Sequence, residues 1–213
     1  MPTSNTYKIR TKRKNLYLRI SKGHFATSHS HINYYIDVTT QKTRLSEAKA
    51  VAEELMSYYH NNTIIDTSLC LDGTEVIGTC LADELTQGDF TNLNAHQTIY
   101  VVPPEHTTGS QLIFRDNTAP MIKGKHVLIL AASVTTGYTA AAAVEAIKYY
   151  GGSVVGISAI FATCDECSGY PVYSVFNPND LPDYASYNAG ECPICKEGKK
   201  LDALVNSHGY SKL

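Results

Sequence analysis

The 213-residue chain has no tryptophan, no acidic residue among its first 36 positions, and no run approaching the roughly eighteen apolar residues that a membrane-spanning helix needs. Its longest candidate, residues 127–132 with an alanine-rich continuation, is interrupted by Thr135, Thr136 and Gly137, so no membrane span is expected. Behind the basic start MPTSNTYKIRTKRKN there is no apolar stretch and no small-residue cleavage site. A secretory signal is therefore not expected, and the default compartment is the cytosol. Internal repeats and low-complexity linkers are also missing, and 14 Gly with 8 Pro suggest neither disorder nor a fibrous chain. What is present is 43% hydrophobic residues, 15 tyrosines and length for one globular domain, or one domain with a small appendage.

The early scarcity of acid polarises the molecule. Of the 18 Lys and Arg residues, seven (Lys8, Arg10, Lys12, Arg13, Lys14, Arg19 and Lys22) fall within residues 1–36, leaving 11 against all 20 Asp and Glu in the remainder. Such a face either attracts an anion, a phosphorylated substrate or nucleic acid, or is a solvated basic strand edge that discourages sheet-to-sheet aggregation. Nucleic acid is the less favoured partner.

Alternation predicts short strands at residues 7–10 and 16–20 around a KRK turn. Ala48, Val51, Ala52, Leu55, Met56 and Tyr59 recur at helical spacing, which predicts a helix over 46–60 with Ser46 as N-cap. A buried strand at 63–71, an LDGT turn, a helix at 75–86 and a strand at 98–102 follow. Residues 103–120 have no sustained period and suit a mobile loop with a short strand at 112–114. A central strand at 126–132, a helix at 138–150 closed by Gly151 and Gly152, and a strand at 153–161 complete the pattern. This alternation predicts an α/β fold, a parallel sheet flanked by helices.

The most informative stretch is HVLILAASVTTGYTAAAAVEAIKYYGG, in which a strand runs into TTGYT and directly into a helix. Backbone N–H groups of such a turn point outward, Gly137 allows close approach, and the Thr135, Thr136 and Thr139 hydroxyls add donors for a phosphate. An ordinary strand-to-helix turn is the alternative. At this point the sequence resembles the type I phosphoribosyltransferases, whose signature is an apolar strand, two acidic residues, two variable positions and T-T-G-x-T. A second segment, GHFATSHSHINYYIDV at 23–38, resembles the base-binding segment of orotate phosphoribosyltransferases. A third, IIDTSLCLDGTEVIGTCLADEL at 64–85, lies where that family has a strand, a pyrophosphate-binding turn and a helix.

The resemblance spans about residues 20–161. It implies a phosphoribosyltransferase-type domain over 1–161, including an N-terminal hood, with a Cys-rich C-terminal appendage over 162–213. It further implies transfer of phosphoribose from phosphoribosyl pyrophosphate (PRPP), accompanied by Mg2+, to a pyrimidine-like base: orotate and PRPP giving orotidine monophosphate and pyrophosphate. Thr135, Thr136, Gly137 and Thr139 would hold the 5-phosphate of PRPP or of a nucleoside monophosphate. Tyr34 and Tyr35 would lie near the pyrimidine, with His29, Ser30 and His31 near its carboxylate or the pyrophosphate. Alternatively both tyrosines are strand residues packing on opposite faces. Because the family's mobile loop works across a two-fold interface, a homodimer is expected.

The departures from the pattern sit on the chemistry. Ala131 and Ala132 stand where the two acidic residues should hold the ribose hydroxyls and organise the cationic transition state. Asp72 and Glu75 stand in the pyrophosphate turn, where like charges repel unless a divalent ion intervenes. The loop has no Lys or Arg before Arg115, leaving His106 as the candidate loop group, either the family's loop histidine or an exposed loop residue; Arg115 and Asp116 carry no assigned role. Two readings follow: a diverged transferase in which Asp72, Glu75 and His106 are the catalytic candidates, or a catalytically silent module that binds a nucleotide or ribose phosphate.

Four of the six cysteines form two CxxC pairs, Cys164 with Cys167 and Cys192 with Cys195, separated by 24 residues. Each turn can present two thiolates to one metal, and together they predict a structural zinc site of four sulfurs. A CPxC also occurs in some orotate-type transferases without a partner pair, and neither motif has the strand-to-helix context of a redox CxxC.

Overall fold

Three segments built mostly of apolar and small residues, 67–70, 126–134 and 153–162, become strands buried at nearly every position, as a helix-covered parallel sheet requires. The structure is a computed structural model that describes residues 6–10, 16–59, 61–87, 92–95, 97–107, 111–207 and 209–213. In chain order the elements are β1 (Thr6–Arg10), β2 (Tyr17–Ala26), β3 (His31–Asp37), α1 (Thr39–Thr43), α2 (Leu45–Met56), β4 (Thr67–Cys70), α3 (Glu75–Thr86) and β5 (Tyr100–Val102). There follow β6 (Glu105–His106), β7 (Leu112–Ile113), β8 (His126–Val134), α4 (Tyr138–Tyr149), β9 (Ser153–Ala162), β10 (Glu166–Cys167) and β11 (Tyr170–Phe176). Last come β12 (Ser186–Tyr187), α5 (Pro193–Lys196), β13 (Ala203–Asn206) and β14 (Gly209–Lys212). The chain divides into two compact units, residues 41–176 and residues 1–40 with 177–213.

In the unit of residues 41–176 the strand order is β10-β11-β9-β8-β4-β5. All its neighbouring pairs are parallel except that of the edge strand β10. One face packs α4: Ala140, Ala143, Val144 and Ile147 meet Val127, Ile129, Ala131, Ile157 and Ala159. On the other face α2 packs against α3, and Tyr59, just beyond α2, exchanges a 2.8 Å hydrogen bond with the buried Ser158 of β9. Gly78 lets α3 come close to β4, since a Cβ there would run into Cys70 Sγ and stand 3.3 Å from Ser68 Oγ. β4 begins only at Thr67. Residues 63–65 before it are tied by Asn94, which accepts from Ile65 N and donates to the Thr63 carbonyl, both at 2.8 Å.

Two boundaries differ for local reasons. α2 starts at Leu45 with Arg44 at the N-cap, so Ser46 lies inside the first turn rather than capping it. Residues 103–120 hold a small antiparallel hairpin, with Glu105 opposite Ile113 and His106 opposite Leu112. β6, at two residues, was too short to show a period. Thr108 and Gly109 of the expected mobile loop lie outside the described residues, as does the KRK turn.

In the other unit the sheet order is β12-β3-β2-β13-β14, with β1 also paired to β2. The β1–β2, β2–β3, β3–β12 and β13–β14 pairs are antiparallel, whereas β13 runs parallel to β2, Ala203 opposite Phe25 and Leu204 opposite Ala26. Residues 177–213, which show no period in sequence, therefore contribute three strands to the sheet begun by the N-terminal hairpin. Phe25, Ile32, Ala203 and Val205 form its apolar cluster, with Tyr35 packed against it.

Candidate functional site

β8 ends at Val134, and Thr163 secures the turn beyond it, its N–H donating to the Val134 carbonyl and its hydroxyl to the Thr135 carbonyl, both at 2.9 Å. Gly137 then takes φ +76°, a conformation that favours glycine, and α4 begins, with Ala141 N donating to the Gly137 carbonyl at 2.8 Å. The N-cap residue of α4, Gly137, has no side chain with which to cap the helix. Its first N–H groups have no partner within the helix and carry the positive end of its dipole. Thr136 and Thr139 are exposed here, and Thr135 and Gly137 half-buried, so one short turn gathers four residues suited to an anion. Cys167 Sγ lies 3.6 Å from the Gly137 carbonyl oxygen on the protein side of this turn.

The end of the adjacent strand β4 makes a second turn. Asp72 at φ 58° and Gly73 at φ 77° reverse the chain, and the Thr74 hydroxyl contacts the Leu71 and Leu130 carbonyls at 2.8 and 3.0 Å, tying the turn to β8. Lys42, only 9% exposed, donates from Nζ to the Asp72 carbonyl at 2.7 Å. A side chain at Gly73 would stand 3.8 Å from Lys42 Nζ and 4.0 Å from Glu75 Oε2, so cation and carboxylate flank that glycine. The turn that reads as purely acidic in sequence thus includes a buried ammonium. Lys42 escaped the sequence reading because TTQKT is too short to show a period and lies 30 residues from its contact. Both turns lie at the carboxyl ends of neighbouring parallel strands, where open α/β sheets bind ligands.

His106 is exposed on β6. Its neighbour Glu105 accepts two bonds from Arg115, at 2.7 and 2.5 Å, and these hold the Glu105 carboxyl below its ordinary range. The first arginine of the loop region is therefore engaged by a carboxylate of the same hairpin.

No family model matches the chain. The orotate phosphoribosyltransferase of Caldanaerobacter subterraneus subsp. tengcongensis is 33% identical over 81 residues, 37% of this chain and 40% of that protein. That of Chlorobium phaeobacteroides is 26% identical over 195 residues, 85% of this chain and 86% of that protein. The chain thus spans less than half the length of the first relative and most of the second. In three dimensions, the orotate phosphoribosyltransferase of Mycobacterium tuberculosis H37Rv matches with TM-score 0.54 at 18% identity, covering 77% of this chain and 92% of that one. This chain has the type I phosphoribosyltransferase fold, and in sequence it is similar to orotate phosphoribosyltransferases.

Ala131 and Ala132, which the sequence pattern aligns with the acidic pair of the phosphoribosyltransferase signature, are 2% and 3% exposed. Ala131 belongs to the cluster beneath α4, opposite Ala159. Neither methyl offers an oxygen to a ribose hydroxyl or to Mg2+, so these residues do not fit a magnesium site.

The residues expected near the base lie on the β2–β3 hairpin. Thr27 Oγ1 closes its turn, accepting from Ser30 N at 2.8 Å and His29 N at 3.2 Å and meeting Ser30 Oγ at 3.0 Å. Ser30 is buried in this network and His29 is exposed. Tyr34 is buried, with Lys22 Nζ 5.6 Å from its ring centroid. Tyr35 packs between Phe25 and Tyr210, with centroids at 6.1 and 5.2 Å. Burial, reinforced by Asp37 and Tyr210, pushes its hydroxyl up to about 12.

His31 turns towards His24, Cys192 and Cys195, and all four possible ligand atoms lie within 4.8 Å of one another. Cys164, just before β10, and Cys167, within it, belong to the unit of residues 41–176. The structure thus groups the second CxxC with two histidines of the hairpin. His24 was missed; the available signal was a histidine at each end of one hairpin turn.

Proposed function

We propose that the chain is a PRPP-binding transferase of orotate type whose 5-phosphate cradle is intact and whose ribosyl-transfer chemistry is weakened. The observation that carries this reading is the uncapped start of α4 behind Gly137, at the carboxyl end of a central parallel strand. A phosphate there accepts from backbone N–H groups that no side-chain substitution removes, with Thr135, Thr136 and Thr139 adding hydroxyls. In the reaction read from the family, the bond from the anomeric carbon to pyrophosphate lengthens, positive charge builds on the ribosyl ring, and a pyrimidine-like base attacks. Asp72 and Glu75 are the carboxylates that this reading assigns to the developing cation in place of the missing pair, and His106 the loop group near the departing anion. The Lys42 ammonium offsets the acidity of the 72–75 turn and favours an anion beside it. Losing both acidic residues removes several kcal/mol of transition-state stabilisation, so orotate turnover is expected to be weak or absent. The runner-up, a non-catalytic module that binds a nucleotide or ribose phosphate, rests on the same cradle together with the buried alanine pair.

A binding screen with PRPP and nucleoside monophosphates, coupled to a pyrophosphate-release assay, tests both. Measurable binding with little orotate-dependent release supports the reading, and release with another base would name the acceptor. Failure of PRPP and of every monophosphate to bind would overturn it, and orotate turnover at ordinary enzyme rates would refute the weakened site.

A further inference from the structure

We infer that His24, His31, Cys192 and Cys195 form a closed, structural zinc site joining the β2–β3 hairpin to α5. The distances carry this. His24 Nε2 lies 3.3 Å from His31 Nδ1, 3.5 Å from Cys192 Sγ and 3.6 Å from Cys195 Sγ, and Cys195 Sγ lies 3.3 Å from His31 Nδ1. A tetrahedron with Zn–S near 2.3 Å and Zn–N near 2.05 Å has N···N edges of about 3.3 Å and N···S edges of about 3.5 Å. The observed separations match those edges.

The protonation chemistry agrees. His24 Nδ1 faces the Lys199 and Lys200 carbonyl oxygens, each at 3.2 Å, which can only accept. The ring proton therefore sits on Nδ1, and Nε2 presents one lone pair to the cluster. Three groups converge on that single lone pair, more than hydrogen bonds to it can satisfy. A cation at the centre satisfies all four ligands together, and the outer bonds to the two carbonyls fix the ring's orientation, as partners of a metal-bound imidazole do. His24 and Cys192 are buried, His31 is half-buried and Cys195 exposed, and the four side chains together fill every position of a tetrahedral structural site, leaving none open for catalysis. The cluster also lies where the two chain segments are already joined, since the Asp202 carboxylate accepts from His24 N at 2.7 Å. Cysteines that are soft, closely paired and accompanied by imidazoles select zinc over hard cations. This assignment does not depend on the transferase reading.

The test is metal analysis of the purified full chain with X-ray absorption at the zinc edge. One zinc per chain with a shell of two sulfurs and two nitrogens is expected; a four-sulfur shell, or no metal with Cys192 and Cys195 oxidised to each other, would overturn the site. Cys192→Ser and His24→Gln should each lose most of the zinc, whereas a Cys164→Ser/Cys167→Ser double variant should keep it, and the reverse pattern refutes the assignment. Should a variant fail to fold, the wild-type absorption shell and the spectrum of the cobalt-substituted chain decide alone.

Discussion

Ala131 stands where the family signature, as aligned in sequence, has an acid, and its surroundings say what placing one there would do. Its methyl is packed among Ile129, Ala159 and the α4 side chains, so Ala131→Asp would bury a carboxylate without a partner. A loss of about 3 kcal/mol is expected in urea denaturation. Restoring activity by Ala131→Asp with Ala132→Asp therefore has to be assayed well below the variant's Tm, with any gain in pyrophosphate release read against the folded fraction. A second residue reports on pH. Burial pushes the Asp66 carboxyl up, but hydrogen bonds from the His126 backbone at 2.7 Å and ring at 2.8 Å outweigh that and leave it below its ordinary range. A carboxyl lowered in the folded state adds stability that is present above its unfolded pKa of about 3.9 and vanishes as pH falls through the folded value. Asp66 is partly exposed, so after screening the contribution is on the order of 0.5 kcal/mol. Comparing Asp66→Asn with wild type in urea at pH 7 and pH 3 should show a deficit at pH 7 that shrinks at pH 3.

Elements show how close packing is enforced. At Gly78 of α3 a methyl would press on Cys70 Sγ, itself buried in β4, so Gly78→Ala should lower stability by about 2 kcal/mol despite alanine's better helix propensity. Equal or raised Tm would show that α3 can shift away. At Gly137, φ +76° and a would-be Cβ 3.0 Å from Cys167 Sγ both oppose substitution. Gly137→Val should reduce phosphate or PRPP affinity at least tenfold in calorimetry, with the far-ultraviolet spectrum unchanged. The elements that sequence made legible are those with a full period. α3 runs over Glu75–Thr86 as its spacing indicates, and the Ala-rich α4 starts where TTGYT places it. What escaped lacks a local period: the two-residue strands β6, β10 and β12, and β13, whose place depends on pairing with β2 far away in sequence. The same holds at the sites. The TTGYT turn is contiguous, so its place between strand and helix was readable; the contacts of Lys42 and His24 exist only in the fold.

For the molecule as a whole, the family's cross-interface loop leads to the expectation of a homodimer, and light scattering at micromolar concentration should give twice the 23.3 kDa chain mass. A monomer-sized species would remove that expectation and leave each proposed phosphate cradle to act alone. The charge polarity of the sequence falls on the unit built from residues 1–40 and 177–213, whose basic residues cluster before Asp37. That unit also has a consequence in time. The edge of β2 at Phe25 and Ala26 is completed by Ala203 and Leu204, so during synthesis the early hairpin leaves the ribosome long before its parallel partner exists. At about 5–20 residues per second, the wait is on the order of ten seconds or more, during which an unpaired strand edge is open to wrong partners. Meanwhile the strands of residues 41–176 can assemble once β11 has emerged. Birth order and spatial order therefore disagree, and the basic flank of β1 and β2 is well placed to keep nascent hairpins from pairing with one another.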